Sequence, residues 1–120
     1  MKTVIASDHG GYDLKEAAKS WMSEHGIPFE DLGCHSRDSS DYPYFARAVA
    51  LRVSQGAADQ GILVCTAGIG MSIAANKFPR VRAALCLTPE MARLARTHND
   101  ANVLAMGGKL VAPGSVGPIL

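Results

Sequence analysis

A chain of 120 residues has the length of one ordinary domain, and its 48% apolar and 19% charged residues can close a core without staples, which excludes a disordered segment. Its 12 Lys and Arg balance 11 Asp and Glu with no basic run, so no electrostatic footprint for nucleic acid or an anionic membrane is present and a small-molecule partner is expected. No stretch approaches the roughly 18 apolar residues of a membrane-spanning helix or forms a signal-peptide core, and three cysteines without a CxxC pair indicate neither a disulfide framework nor a zinc site. We therefore expect a cytoplasmic protein with free thiols.

Val4-Ile5-Ala6 ahead of Ser7-Asp8-His9-Gly10-Gly11 reads as a short buried strand running into a polar turn. Leu14, Ala17, Ala18, Trp21 and Met22 then recur on one helix face, with Gly26 as the stop. Residues 27–32 read as a weak second strand and 33–41 as a polar loop. Asp41-Tyr42-Pro43 marks a helix start, and Phe45, Ala48, Val49, Arg52 and Val53 continue that helix to Gly56. The apolar run 61–64 suits a strand covered on both faces, and Cys65 ends it. A short helix at 71–77 and a strand at 81–85 follow. Thr88-Pro89-Glu90 supplies the N-cap, first residue and first-turn acid of the next helix, and a strand at 102–106 is closed by Gly107-Gly108. This alternation predicts right-handed crossovers and a three-layer, doubly wound α/β domain over residues 1–120, built on a mostly parallel five-stranded sheet. The chain stops on apolar Val116-Gly117-Pro118-Ile119-Leu120, where a helix covering the last strand would begin, so such a helix is either lost after residue 120 or absent in nature.

Ligands of open parallel sheets sit beyond the carboxyl ends of the strands. Three clusters are expected there: Asp8-His9, the segment from Cys65 to Gly70, and His98-Asn99-Asp100 just ahead of the last strand. Gly68-Ile69-Gly70 before a helix offers N–H groups and a positive dipole end to a phosphate or a developing oxyanion, or is a turn that only needs a positive φ. No Lys-Ser/Thr follows the glycines, so the loop is not a nucleotide P-loop. Beside that loop Cys65 is either a thiolate base or nucleophile, or a buried inert thiol; Cys34 and Cys86 lack such a loop and read as inert. His9 and His98, flanked by small polar residues, are expected to be accessible imidazoles that move protons or bind phosphate, whereas His25 and His35 read as bland surface residues. Asp8 either orients a hydroxyl or caps the following helix. The spacing of Asp8, His9 and His98 matches no metal motif.

Four blocks in register carry a resemblance: SDHGG at 7–11, DYP at 41–43, CTAGIGMSIAANK at 65–77 and HNDANVLAMGG at 98–108. From residue 1 to about residue 112 the chain resembles the ribose-5-phosphate isomerase B family, which includes galactose-6-phosphate isomerase. The resemblance implies a Rossmann-like fold and an aldose–ketose isomerase of carbohydrate metabolism, free of metal and cofactor. It also implies a homodimer or tetramer with active sites at the subunit interface. Cys65 then matches the base that takes a proton from C2 of open-chain ribose 5-phosphate and returns it to C1 through a cis-enediolate, giving ribulose 5-phosphate. The loop through Thr66, Ala67, Gly68, Gly70 and Ser72, completed by Asn99, would cradle the enediolate, and His98 would open the sugar ring. Asp8 and Tyr42 would hold sugar hydroxyls, and His9 and Lys109 the phosphate. Lys109 stands where the family commonly has Arg, which keeps the charge but loses the bidentate fork. Cys65-Thr66-Ala67-Gly68 stands where Cys-Gly-Thr-Gly is usual, so a hydroxyl near the base is moved or missing. The phosphate-binding arginines of the family's C-terminal helix have no counterpart in these 120 residues. Competing expectations are a hexose 6-phosphate substrate, such as allose or galactose 6-phosphate, or sugar-phosphate binding without catalysis.

Overall fold

The apolar run that ends at Cys65 lies in the middle of a sheet. A computed structural model, which describes residues 2–36, 38 and 41–120, contains the strands β1 (Thr3–Ser7), β2 (Glu30–Asp31), β3 (Gln60–Cys65), β4 (Ala83–Leu85) and β5 (Val103–Gly107). Arg37, Ser39 and Ser40 of the expected 33–41 loop, and Met1, lie outside the described residues. The strand order is β2-β1-β3-β5-β4 and every registered pair is parallel. The chain steps from β1 outward to β2 and then returns across β1 to β3, so the switch point lies between β1 and β3, where ligands of such sheets bind. Asp8 and Cys65 stand at the carboxyl ends of these two strands.

Period-2 alternation distributes the strand side chains between two cores. Val4, Ala6, Leu63 and Cys65 face α2 (Tyr42–Ser54) and α3 (Ile69–Ala75), joining Val49, Val53 and Met71. Ile5, Ile62 and Val64 face α1 (Tyr12–Glu24), α4 (Pro89–Asn99) and α5 (Val116–Ile119), joining Leu14, Met22 and Ile119. A turn of 3-10 helix at His9–Gly11 leads into α1. Thr88 caps α4 as expected, its Oγ1 accepting from the Met91 N–H at 3.2 Å with Pro89 in the first turn; Asp41 precedes α2 without a side-chain cap bond.

Two strands are shorter than periodicity predicts. Pro28 cannot donate to a ladder, so β2 is confined to two residues, although Leu32 and Cys34 still donate to the Ile5 and Ser7 carbonyls. β4 begins at Ala83 because the Arg82 N–H is taken by the Asn102 side chain at 2.8 Å. The outer edge of β4 is also plugged: the Asn76 carboxamide accepts from the Ala83 N–H at 2.7 Å and donates to its carbonyl at 2.9 Å. The apolar C-terminal stretch forms a helix of four residues, preceded by a 3-10 turn at Pro113–Ser115.

Helix α2 approaches β3 closely at Gly61, where an added Cβ would lie 2.4 Å from Cγ1 of the fully buried Val49. A stiff β-branched neighbour in a packed core cannot move aside, so Gly61→Ala should cost about 1–3 kcal/mol by overpacking. Thermal unfolding checks this: a Tm lowered by several degrees is expected, and an unchanged Tm contradicts the close approach.

Candidate active site at the carboxyl edge of the sheet

Backbone hydrogen bonds bring three loops together at one end of the sheet. The Asp8 N–H donates to the Val64 carbonyl at 3.2 Å, the Gly108 N–H to the Cys65 carbonyl at 2.7 Å, and the Lys109 N–H to the Thr66 carbonyl at 3.0 Å. Gly108 and Gly10 meet so closely that a Cβ on Gly108 would lie 2.5 Å from the Gly10 carbonyl oxygen. His9 and Lys109, both exposed, therefore flank one shelf. Thr66 completes it, with Oγ1 packed against Gly10.

Asp8 is buried and Oδ1 accepts from the Gly11 N–H at 3.1 Å, so one of its oxygens is committed to capping the 3-10 turn. Of the two readings of Asp8, the cap is present in the fold. Cys65 is 6% exposed, and Sγ accepts from the Gly68 N–H at 3.1 Å. Such a bond strengthens as the acceptor gains negative charge. Gly68 makes this return possible: its φ is +83°, and an added Cβ would lie 2.5 Å from Leu85 Cδ1 and 2.9 Å from the Met106 backbone. It is also the N-cap of α3, and as a glycine it brings no side chain to cap the first N–H groups of that helix. Tyr42 reaches the same loop from α2, its ring lying over Gly70 at 2.7 Å from where a Cβ would be. Ala67 packs under Gly107, and the Ser72 hydroxyl donates to the Ile69 carbonyl at 2.8 Å within its own helix.

The other cysteines differ from Cys65. Cys34 lies beside β1, its Sγ 3.8 Å from Ser7 Oγ and donating to the Ser36 carbonyl at 3.2 Å. Cys86 is in the opposite core, where burial pushes its thiol up. His25 is not merely bland, since it stacks on Trp21 with ring centroids 4.0 Å apart.

One expectation fails. His98, Asn99 and Asp100 do not stand at the carboxyl ends of strands: they finish α4 and lead into the amino end of β5. In a parallel sheet the helix preceding a strand must deliver the chain to that strand's starting edge. Gly107 pairs with Cys65, and Asn102, which follows this cluster, lies five residues earlier, about 16 Å down the sheet from the Cys65 end. There the Asn99 carbonyl accepts from Arg82 Nε at 2.7 Å, and Asn99 lines a shallow cavity with Asn76 and Arg82. A second cavity, of about 270 Å³ between α1, α4 and α5, is likewise remote from Cys65. Among the described residues no three His, Cys, Asp or Glu side chains converge as metal ligands, and no helix is long and apolar enough to cross a membrane.

Gly68→Ala tests the loop directly. Strain at positive φ together with the contact on Met106 should cost about 1–3 kcal/mol or more, read as a lowered unfolding midpoint in denaturant. A loss below about 0.5 kcal/mol would contradict the left-handed turn that directs the Gly68 N–H at sulfur.

Comparison with known proteins adds the lineage to this geometry. Ribose-5-phosphate isomerase B of Escherichia coli (strain K12) is 46% identical over 110 residues, covering 92% of this chain and 74% of that protein. The ribose-5-phosphate isomerase B structure from Clostridium thermocellum superposes with a TM-score of 0.96 at 46% identity, over 99% of this chain and 80% of the other. The Mycoplasma genitalium ribose-5-phosphate isomerase B structure, which contains bound ribulose-5-phosphate, superposes with a TM-score of 0.92 at 38% identity, over 98% of this chain and 79% of the other. A sequence model described as Ribose/Galactose Isomerase matches residues 3–120, and the chain belongs to that family.

Proposed function

We propose that this chain is a sugar-phosphate isomerase that interconverts ribose 5-phosphate and ribulose 5-phosphate, with Cys65 as the base. The observation that carries the assignment is the Cys65 thiol at the tip of β3, turned back onto the Gly68 N–H and level with the shelf between His9 and Lys109. Relatives named for this activity, one of them holding ribulose-5-phosphate, support the substrate class.

Removing a proton from carbon is slow unless the charge it leaves is met by preorganised donors. Cys65 takes the C2 proton of the open-chain aldose. The electron pair forms the C1=C2 bond, and the aldehyde oxygen takes the negative charge. The uncapped N–H groups at the start of α3 face that oxygen, and a donor so placed is worth about 3 kcal/mol in the transition state. Transfer of the O2 proton to O1 and return of a proton to C1 give the ketose. Tyr42 and Asp8 border the sugar, while His9 and Lys109 hold the phosphate, the lysine as a point charge without a bidentate fork.

His98 and Asn99 enter this scheme from a second copy of the chain, because in their own protomer they lie toward the opposite edge of the sheet from Cys65. Exposed apolar side chains lie beside both halves of such a shared site: Ile69 and Ile73 on α3, and Leu87, Met91 and Leu94 at α4. In a two-fold dimer each patch meets its complement twice, giving two identical sites. Free cysteines at all three positions fit the reducing cytoplasm, where we place the enzyme.

Three experiments test this reading. In a coupled ribulose-5-phosphate assay Cys65→Ser should lower kcat by about 10²- to 10⁴-fold while ribose 5-phosphate still binds; near-normal turnover removes Cys65 from its role. A direct aldose–ketose conversion assay run on ribose 5-phosphate and on hexose 6-phosphates fixes the sugar by kcat/KM, pentose being expected to lead. Mixing inactive Cys65→Ser and His98→Ala chains should restore about a quarter of wild-type activity, since about half the dimers are then mixed and each holds one intact site. No recovery after subunit exchange contradicts a site shared between chains.

A further inference from the structure

Lys15 is a charged residue with no accessible surface, and nothing in the proposed chemistry uses it. An ammonium has three N–H donors. Here two go to Asp31, at 3.0 Å to Oδ1 and 2.9 Å to Oδ2, and the third goes to the backbone carbonyl of Cys34. Lys19 also reaches Asp31 Oδ2, at 2.8 Å, and Glu16 lies 3.8 Å from the Lys15 ammonium. Burial works against ionisation of Asp31, but hydrogen bonds from Lys19 and Lys15 and from the Gly33 N–H hold its carboxyl below the usual range.

A buried ion pair is an inefficient stabiliser, because desolvation consumes most of what the attraction returns and an apolar pair of similar volume does as well. Its location therefore asks for another reason. The Cys34 carbonyl that Lys15 holds belongs to a segment paired in both directions with Ser7: the Ser7 N–H donates to the Gly33 carbonyl at 2.7 Å, and the Cys34 N–H to the Ser7 carbonyl at 2.8 Å. Asp31 Oδ1 accepts from the Gly33 N–H at 2.9 Å, so the pair grips this segment at both ends. Ser7 is followed by Asp8 and His9. Lys15 also stands on α1, the helix into which the His9–Gly11 turn runs, so one ammonium ties the chain before and after that turn to a common point.

We infer that Lys15 is a positioning residue for the Asp8–His9 turn, fixing through Asp31 and the Cys34 carbonyl the side of the site that binds the sugar phosphate. This deepens the isomerase reading and rests on it for the roles of Asp8 and His9. Loosening the clamp leaves Cys65 and its N–H donors in place, so binding suffers more than chemistry.

The test compares Lys15→Met with Lys19→Met, which removes a partner of Asp31 but leaves the bond to Cys34. Lys15→Met should raise KM for ribose 5-phosphate about tenfold with a smaller change in kcat, misplacement of binding groups being costly. It should also speed amide hydrogen exchange at Ser7 and Cys34. Lys19→Met, losing part-exposed ion pairs, should stay within about twofold of wild type on both readouts. Should Lys15→Met fail to fold, Asp31→Asn carries the test, with the same pattern at lower amplitude. A lowered Tm with KM and exchange at Ser7 and Cys34 unchanged overturns the inference and leaves the pair a structural one. A wild-type chain that converts no ribose 5-phosphate defeats the isomerase reading instead, while exchange at Ser7 and Cys34 still decides whether the clamp exists.

Discussion

Three backbone hydrogen bonds, from Asp8 to Val64, from Gly108 to Cys65 and from Lys109 to Thr66, hold the ends of β1, β3 and β5 against one another. Much of the site follows from that contact. Glycine at 10 and 108 lets two loops approach at backbone distance, which sets His9 beside Lys109. The same contact holds the Cys65 carbonyl while its thiol turns back onto Gly68. Parallel strands deliver all three loops to one edge, and the switch between β1 and β3 leaves room for a ligand there.

That edge was legible in the chain because its signals are local. An apolar run ending in Cys65, a glycine turn and a helix specify a strand tip whatever surrounds them. The polar turn after Val4-Ile5-Ala6 does the same for β1. Strand order has no such local signal: β5 inserts between β3 and β4, and that choice is made by packing across the whole sheet. His98 shows the consequence. Its neighbours in sequence suggest a functional loop, yet a helix that precedes a parallel strand ends at the opposite edge, so nearness to a strand in sequence does not say at which end of it a cluster lies.

Lys15 was hidden for a different reason. The apolar stripe of α1 runs through Leu14, Ala18 and Met22, and Lys15 lies three residues before Ala18 and seven before Met22, on the same inward side. A lysine at such spacing carries a signal, because burial of its charge demands a partner, but the partner is Asp31 on strand β2 and cannot be read from α1 alone. Shortened β2 and β4 have a similar origin: Pro28 lacks a ladder donor, and the Asn102 carboxamide takes the Arg82 N–H that periodicity assigns to the ladder.

The most direct measurement of the central claim is alkylation of the three thiols by iodoacetamide, followed by mass spectrometry in parallel with activity. Cys65 should be modified in step with the loss of isomerisation and be shielded by ribose 5-phosphate, while Cys34 and Cys86 stay unmodified. Full activity after complete modification of Cys65, or inactivation with Cys65 untouched, would contradict the account.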